Sequence, residues 1–178
     1  MPRFELGVVV DTKRLRLRPF AADDVDDAVR AVDDPEIHRW MAWAEGYDRA
    51  QAVEFCTVDA HSDPETKLTW AIDADDRLVG SIGLNRADWA NGKVETGYWI
   101  APWGRRRGYA VEAVRAVAAY AFSIGFHRVE LLAAVDNVAS RGVAERAGFT
   151  REGVLREAGR LGGGYTDMVM YAQLSGDI

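Results

Sequence analysis

The chain switches between two spacings of apolar residues, and the switch points outline its elements. Residues 15–20, LRLRPF, alternate apolar and charged positions, which predicts a strand ending near Pro19. Within 22–34, Val25, Ala28, Val29 and Val32 recur at helical spacing, with Asp23 and Asp24 suited to the helix start. Pro35 ends that helix and opens a short one over PEIHRWM, where its missing N–H costs nothing. A third helix is expected over 49–59. Segments 67–73 and 77–85 read as strands joined by a hairpin-like turn, and 93–100 as a further strand. Val114, Val117, Ala118 and Ala121 mark the apolar face of a long helix from about 106 to 123, stopped by Gly125. RVELLAAV (128–135) is almost continuously apolar, as in a strand covered on both faces. A short helix over 137–148 closes at Gly148. Strands over 149–156 and 165–174 finish the chain, and Gly162, Gly163 and Gly164 between them predict a mobile loop.

This order predicts an α+β fold with a mixed, mostly antiparallel sheet of about six to seven strands flanked by helices. The step from strand 93–100 through a helix to strand 128–135 is a crossover, so those two strands should run parallel. No internal repeat and no long linker divides residues 1–178, which predicts a single domain.

Charge narrows the partners. The net charge is -6, and an acidic total argues against nucleic acid as the main ligand. Cys56 is the only cysteine, so no disulfide forms within the chain, and its apolar context AVEFCTV suits packing better than nucleophilic chemistry. No apolar run reaches the ~20 residues that span a membrane, and MPRFELGVVV lacks the pattern of a signal peptide. A cytoplasmic protein without a membrane partner is the expectation. No spacing of His, Cys, Asp and Glu suggests a metal site.

One stretch conflicts with simple helix electrostatics. In PWGRRRGYAVEA (102–113), Arg105, Arg106 and Arg107 stand where the long helix begins, the end that disfavours cations by roughly 0.3–1 kcal/mol each. A bound anion removes the conflict, because helix-start N–H groups and the arginines would then face it together. Gly104 and Gly108 would let a ligand approach the backbone. The chain has no G-x-x-x-x-G-K-[ST], and no G-x-G-x-x-G follows a strand, so neither a P-loop nor a dinucleotide turn supplies the cradle.

Arg105-Arg106-Arg107-Gly108-Tyr109-Ala110 resembles the R/Q-x-x-G-x-G/A signature of the GCN5-related N-acetyltransferases. RLRLRPF, ETGYWIAPWGRRRGYA and NVASRGVAERAGF, in that order, resemble the RimJ/RimL branch, and the likeness covers about residues 13–174. It implies the GNAT fold, with a splayed parallel strand pair at the sheet centre. It also implies acetyl-CoA as cosubstrate: backbone at Ile100 and Ala101 beside the pantetheine arm, next to a bulge in the strand, residues 105–110 on the pyrophosphate, and Asn137 on the pantetheine. The acceptor would be a primary amine, either a protein N-terminus or a small molecule. Homodimers are common in this branch.

Attack on a thioester needs a neutral amine. At pH 7, deprotonation costs roughly 4.6 kcal/mol for a lysine side chain but only about 1–1.4 for an α-amine. Glu95 is the only carboxylate on the strand leading to the loop and is the candidate base; relatives often use a glutamate on this strand. Many relatives place a tyrosine acid where this chain has Ala144. Ser140, three residues after Asn137 on one helix face, is the candidate donor to the departing thiolate, with Tyr109 and Tyr165 weaker alternatives. A backbone N–H near Ile100 is a candidate oxyanion donor. Trp40, Trp43, Trp89 and Tyr165 are candidates for the acceptor pocket wall, and the acidic run from Asp23 to Glu36 could steer a cationic amine. The competing reading is a non-catalytic acyl-CoA-binding or sensing domain on the same fold.

Overall fold

The computed structural model describes residues 2–44 and 46–177. Its strands are β1 (Val10–Asp11), β2 (Arg16–Arg18), β3 (Leu68–Ala74), β4 (Arg77–Asp88), β5 (Lys93–Ile100), β6 (Arg128–Ala134), β7 (Thr150–Leu161) and β8 (Gly164–Leu174). They form one sheet in the order β1-β2-β3-β4-β5-β6-β8-β7. Among the described residues only β5 and β6 pair in parallel, as the crossover required.

Side-chain alternation sends the sheet's two faces into two cores. Leu68, Trp70, Ile72, Ile82, Leu84, Val94, Val129 and Leu131 pack with helices α4 (Tyr109–Ser123) and α5 (Val138–Ala147). On the other face Ala71, Trp99 and Ala101 pack with α1 (Val25–Val32), α2 (Pro35–Trp40) and α3 (Arg49–Thr57). Arg18 ties this layer to the sheet. Its guanidinium donates to both Asp24 oxygens at 2.8 Å and to Asp73 at 2.9 Å. Both carboxylates are buried and would be costly without this partner.

The structure corrects the sequence reading in several places. Among the described residues the sheet has eight strands, one more than the upper expectation, because the two-residue β1 is too short to show a period. The long helix starts at Tyr109 rather than near 106, since Arg105 is extended and both Arg106 (φ 60°) and Gly108 (φ 80°) are left-handed. No loop spans 157–164. β7 and β8 run on to Leu161 and Gly164, and Gly162 (φ 56°) with Gly163 (φ 80°) form a two-residue turn of the primed kind. Glycines read as a mobile segment are the requirement of a tight hairpin.

Candidate active site at the splayed strand pair

The parallel pairing of β5 and β6 is brief. It joins Lys93, Val94 and Glu95 to Arg128, Val129 and Glu130 and then stops. Beyond Glu95, β5 stays on β4, with unbroken register from Asn85↔Glu95 to Gly80↔Ile100. Beyond Glu130, β6 stays on β8 through Ala134. The strands therefore diverge and leave a gap that opens toward residues 100–108. No bulge in β5 produces it. The register irregularity of this pair lies at the other end, between Asn85 and Asp88, which corrects the expectation of a bulge beside Ile100.

Which backbone groups face the gap follows from the ladder. The Ala101 N–H bonds the Val79 carbonyl on β4 at 2.9 Å. Alternation along β5 turns the N–H and C=O groups of Ile100 and Tyr98 the other way, into the gap. The Ile100 carbonyl accepts there from Arg105 Nε at 3.2 Å. Ala101 itself is buried in the second core, so its backbone contributes on the β4 side.

At the mouth of the gap stands the arginine turn. Its three arginines have separate tasks. Arg105 pairs with Asp34 at 2.5 Å, and Asp34 caps α2 by accepting from the Glu36 and Ile37 N–H groups. Burial pushes the Asp34 carboxyl up, but Arg105 and the two N–H groups more than offset this and hold it below its ordinary value. Arg106 and Arg107 are exposed. The Arg107 carbonyl is gripped by Arg14 Nη1 at 2.7 Å, and Arg14 is held by Glu112 of α4 through a 2.7 Å bond from Nε. The first α4 bond at this end runs from Glu112 N–H to the Gly108 carbonyl, leaving earlier N–H groups aimed outward.

Gly108 and Gly104 differ. Gly108 is left-handed and exposed, so a ligand can lie on it. Gly104 is buried, and a Cβ there would sit 3.0 Å from the Val79 carbonyl oxygen and 3.1 Å from Ile100 Cγ2. It serves packing of the turn onto β4 and β5, not ligand approach. Tyr109 buries its ring in the first core under the Arg14 guanidinium, 5.2 Å from the ring centroid, so it offers backbone only; Ala110 is half-buried beside it. Next to Gly108 lies a groove of about 800 Å³ lined by Lys13, Arg14, Glu112, Arg115 and Arg146. Its cationic rim was not anticipated, because those residues come from three distant segments.

Around the gap, Glu95 is the last β5 residue before the divergence, on the face shared with Trp99. Arg86 Nη1 donates to Glu95 at 2.8 Å, and Glu95 keeps 23% side-chain exposure, so water reaches it. Asn137 caps α5: its Oδ1 accepts the Ser140 N–H at 3.0 Å, and its side-chain nitrogen has no hydrogen-bond partner among the described residues. Tyr98 Oη reaches Ser140 Oγ at 3.3 Å, a contact not anticipated although strand alternation already put Tyr98 on the Val94 face. Ala144 is fully buried and offers no hydroxyl.

The aromatic candidates do not form one wall. Trp89 is a misplacement: it lies before β5, at the end away from the arginine turn. It packs on Phe126 at 4.5 Å and Phe4 at 4.9 Å and donates to the Glu65 carbonyl. Trp40 is half-buried on α2 under Arg39; Trp43 is 48% exposed against Tyr47. Tyr165 is 72% exposed at the β7–β8 tip beneath Arg160. The acidic run is also less available than its sequence suggests, since Asp24, Asp26, Asp27 and Asp34 pair with Arg18, Arg49, Arg77 and Arg105. Burial pushes the Cys56 thiol up to about 11, which leaves it protonated and inert. Among the described residues there is no cluster suited to a metal, and no helix is long and apolar enough to cross a membrane.

Comparison with known proteins agrees with this geometry. The acetyltransferase (GNAT) domain model matches residues 14–150. Uncharacterized N-acetyltransferase p20 of Bacillus licheniformis is 28% identical over 169 residues, covering 92% of this chain and 94% of that protein. The ribosomal-protein-serine acetyltransferase of Escherichia coli (strain K12) is 36% identical over 101 residues, 56% of each protein. Among solved structures, the microcin C7 self-immunity acetyltransferase MccE in complex with acetyl-CoA and AMP superposes with a TM-score of 0.82 at 25% identity, covering 92% of this chain and 93% of that one. The matched segment contains the arginine turn, the diverging strands and both helices that flank them, and the chain belongs to the acetyltransferase (GNAT) family.

Proposed function

We propose that the chain moves the acetyl group of acetyl-CoA to a primary amine by direct attack in a ternary complex. The observation that carries this reading is the gap itself. β5–β6 pairing ends at Glu95 and Glu130, backbone of Tyr98 and Ile100 left without a strand partner on that side faces inward, and the arginine turn stands at the mouth. An amide-bearing arm with a pyrophosphate at one end matches such a slot. The acyl thioester supplies the activated acetyl group; the remaining work belongs to the protein.

In this reading the outward N–H groups of residues 106–110 hold the pyrophosphate, with Arg106 and Arg107 adding charge. The groove of Lys13, Arg14, Arg115 and Arg146 takes the phosphorylated nucleotide end. Ile100 and Tyr98 backbone groups, with the Asn137 amide, hold the arm, and one of those N–H groups faces the acetyl oxygen. Glu95 takes the amine proton through water, held in place by Arg86. Ser140 donates toward the departing thiolate. Trp40, Trp43 and Tyr165 line the acceptor approach, and Trp89 is left out.

A protein N-terminus is the favoured acceptor. Its α-amine needs only about 1–1.4 kcal/mol to deprotonate at pH 7, within reach of a carboxylate acting through water. A relative named as a ribosomal-protein-serine acetyltransferase acts on protein, which fits this choice. The same reading takes residues 1–178 as one domain working in the cytoplasm, and it leaves a homodimer open. The test is thiol release from acetyl-CoA against N-terminal peptides, polyamines and small amino compounds. Release is expected to be fastest with peptides bearing a free α-amine. Binding of acetyl-CoA without release on any acceptor would instead favour a sensing domain.

A further inference from the structure

The tyrosine that many relatives carry on this helix is here the buried Ala144, yet a phenol still reaches the same helix from the strand opposite. Tyr98 lies three residues past the last parallel pair, on the face packed against α4 and α5. Its Oη contacts Ser140 Oγ at 3.3 Å, so the two hydroxyls meet where β5 has parted from β6.

The direction of this bond matters. A phenol is more acidic than an alkyl hydroxyl and is the better donor, so Tyr98 donates and Ser140 accepts. Serines in helices commonly return their proton to the carbonyl four residues back. Ser140 Oγ makes no such bond among the described residues, and its backbone N–H is already taken by Asn137. The Ser140 proton is therefore left over. The separation exceeds the usual 2.7–2.8 Å of a hydroxyl pair, which leaves Ser140 room to turn toward the gap.

We infer that Tyr98 is a positioning residue: by donating to Ser140 Oγ it directs the Ser140 O–H into the gap, toward the thiol end of coenzyme A. This inference rests on the proposed donor site and on Ser140 as its hydroxyl. Burial pushes the Tyr98 phenol up, against smaller opposing effects of the Ser140 bond and the Arg146 charge, so it remains a neutral donor at pH 7. No proton leaves Tyr98 in this role; Ser140 supplies the hydrogen bond to sulfur.

The test is the thiol pKa of coenzyme A bound to the full chain, read from thiolate absorbance against pH in wild type, Tyr98→Phe, Ser140→Ala and the double variant. Loss of one directed hydrogen bond should raise that pKa by about 0.5–1 unit in each single variant. The double variant should rise no further than Ser140→Ala, because the two residues act as one chain. Turnover with acetyl-CoA should fall roughly 3–10-fold in Tyr98→Phe at unchanged acetyl-CoA affinity. A shift in Ser140→Ala with none in Tyr98→Phe would overturn the inference and leave the donor site standing. No shift in either variant would remove Ser140 from the mechanism, and failure of the wild type to bind coenzyme A would overturn the donor site and this inference together.

Discussion

Glu95 occupies the one position on β5 that is both the last paired to β6 and turned to the face that carries α1, α2 and α3. A general base there is expected to contribute about 10²-fold or more. Glu95→Gln should lower kcat by about that factor while calorimetry finds acetyl-CoA affinity within twofold of wild type; equal turnover would exclude it as base. The places of Glu95 on a strand and of the arginines in a turn were legible because strand and turn are local elements written in adjacent residues. Trp89 was misread because what buries it, Phe4 and Phe126, comes from far away in the chain. Tyr98 was legible in principle, since alternation fixed its face, but its partner on α5 depends on how two distant elements pack.

At the scale of elements, the turn at 102–108 and helix α2 are joined by Arg105–Asp34. One carboxylate caps α2 and restrains the arginine turn. Asp34→Ala should cost about 1–2 kcal/mol, as loss of a helix cap does, and should also weaken acetyl-CoA binding by freeing Arg105. The pH dependence has a definite sign. The folded protein holds Asp34 below its ordinary value of 3.8, so its contribution is present above that pH and is lost as pH falls through the lower folded value. The difference in urea midpoint between wild type and Asp34→Asn should therefore be widest near neutral pH and close below pH 3.8. A difference that persists in acid would mean that the cap, not the charge, sets the effect. The hairpin of β7 and β8 teaches a different lesson: three adjacent glycines identify a turn, but only the flanking register shows how short it is.

For the whole molecule, the sheet is continuous on either side of β5 and β6 and parts between them beyond Glu95 and Glu130. β2–β3–β4–β5 and β6–β8–β7 are each continuous, and α4 crosses between them. The crossover was predictable from element order, but the extent of parallel pairing was not, since it is set by which neighbour each strand keeps. Arg18 is the tie that the opening RLRLRPF hides as ordinary alternation. Arg18→Met should destabilise the chain by about 3 kcal/mol, read by urea denaturation, because two buried carboxylates lose their cation. A loss under 1 kcal/mol would show that Asp24 and Asp73 find water instead.

In the proposed reading, acetyl-CoA seats its pyrophosphate on the arginine turn with its arm in the gap. Gly108 is exposed and left-handed, and a Cβ there already comes within 3.3 Å of Arg14 Nη2. Calorimetric titration of acetyl-CoA into wild type and Gly108→Trp tests this seating. Saturable binding is expected for wild type and none for a folded Gly108→Trp; equal affinity in the two proteins would rule the seating out.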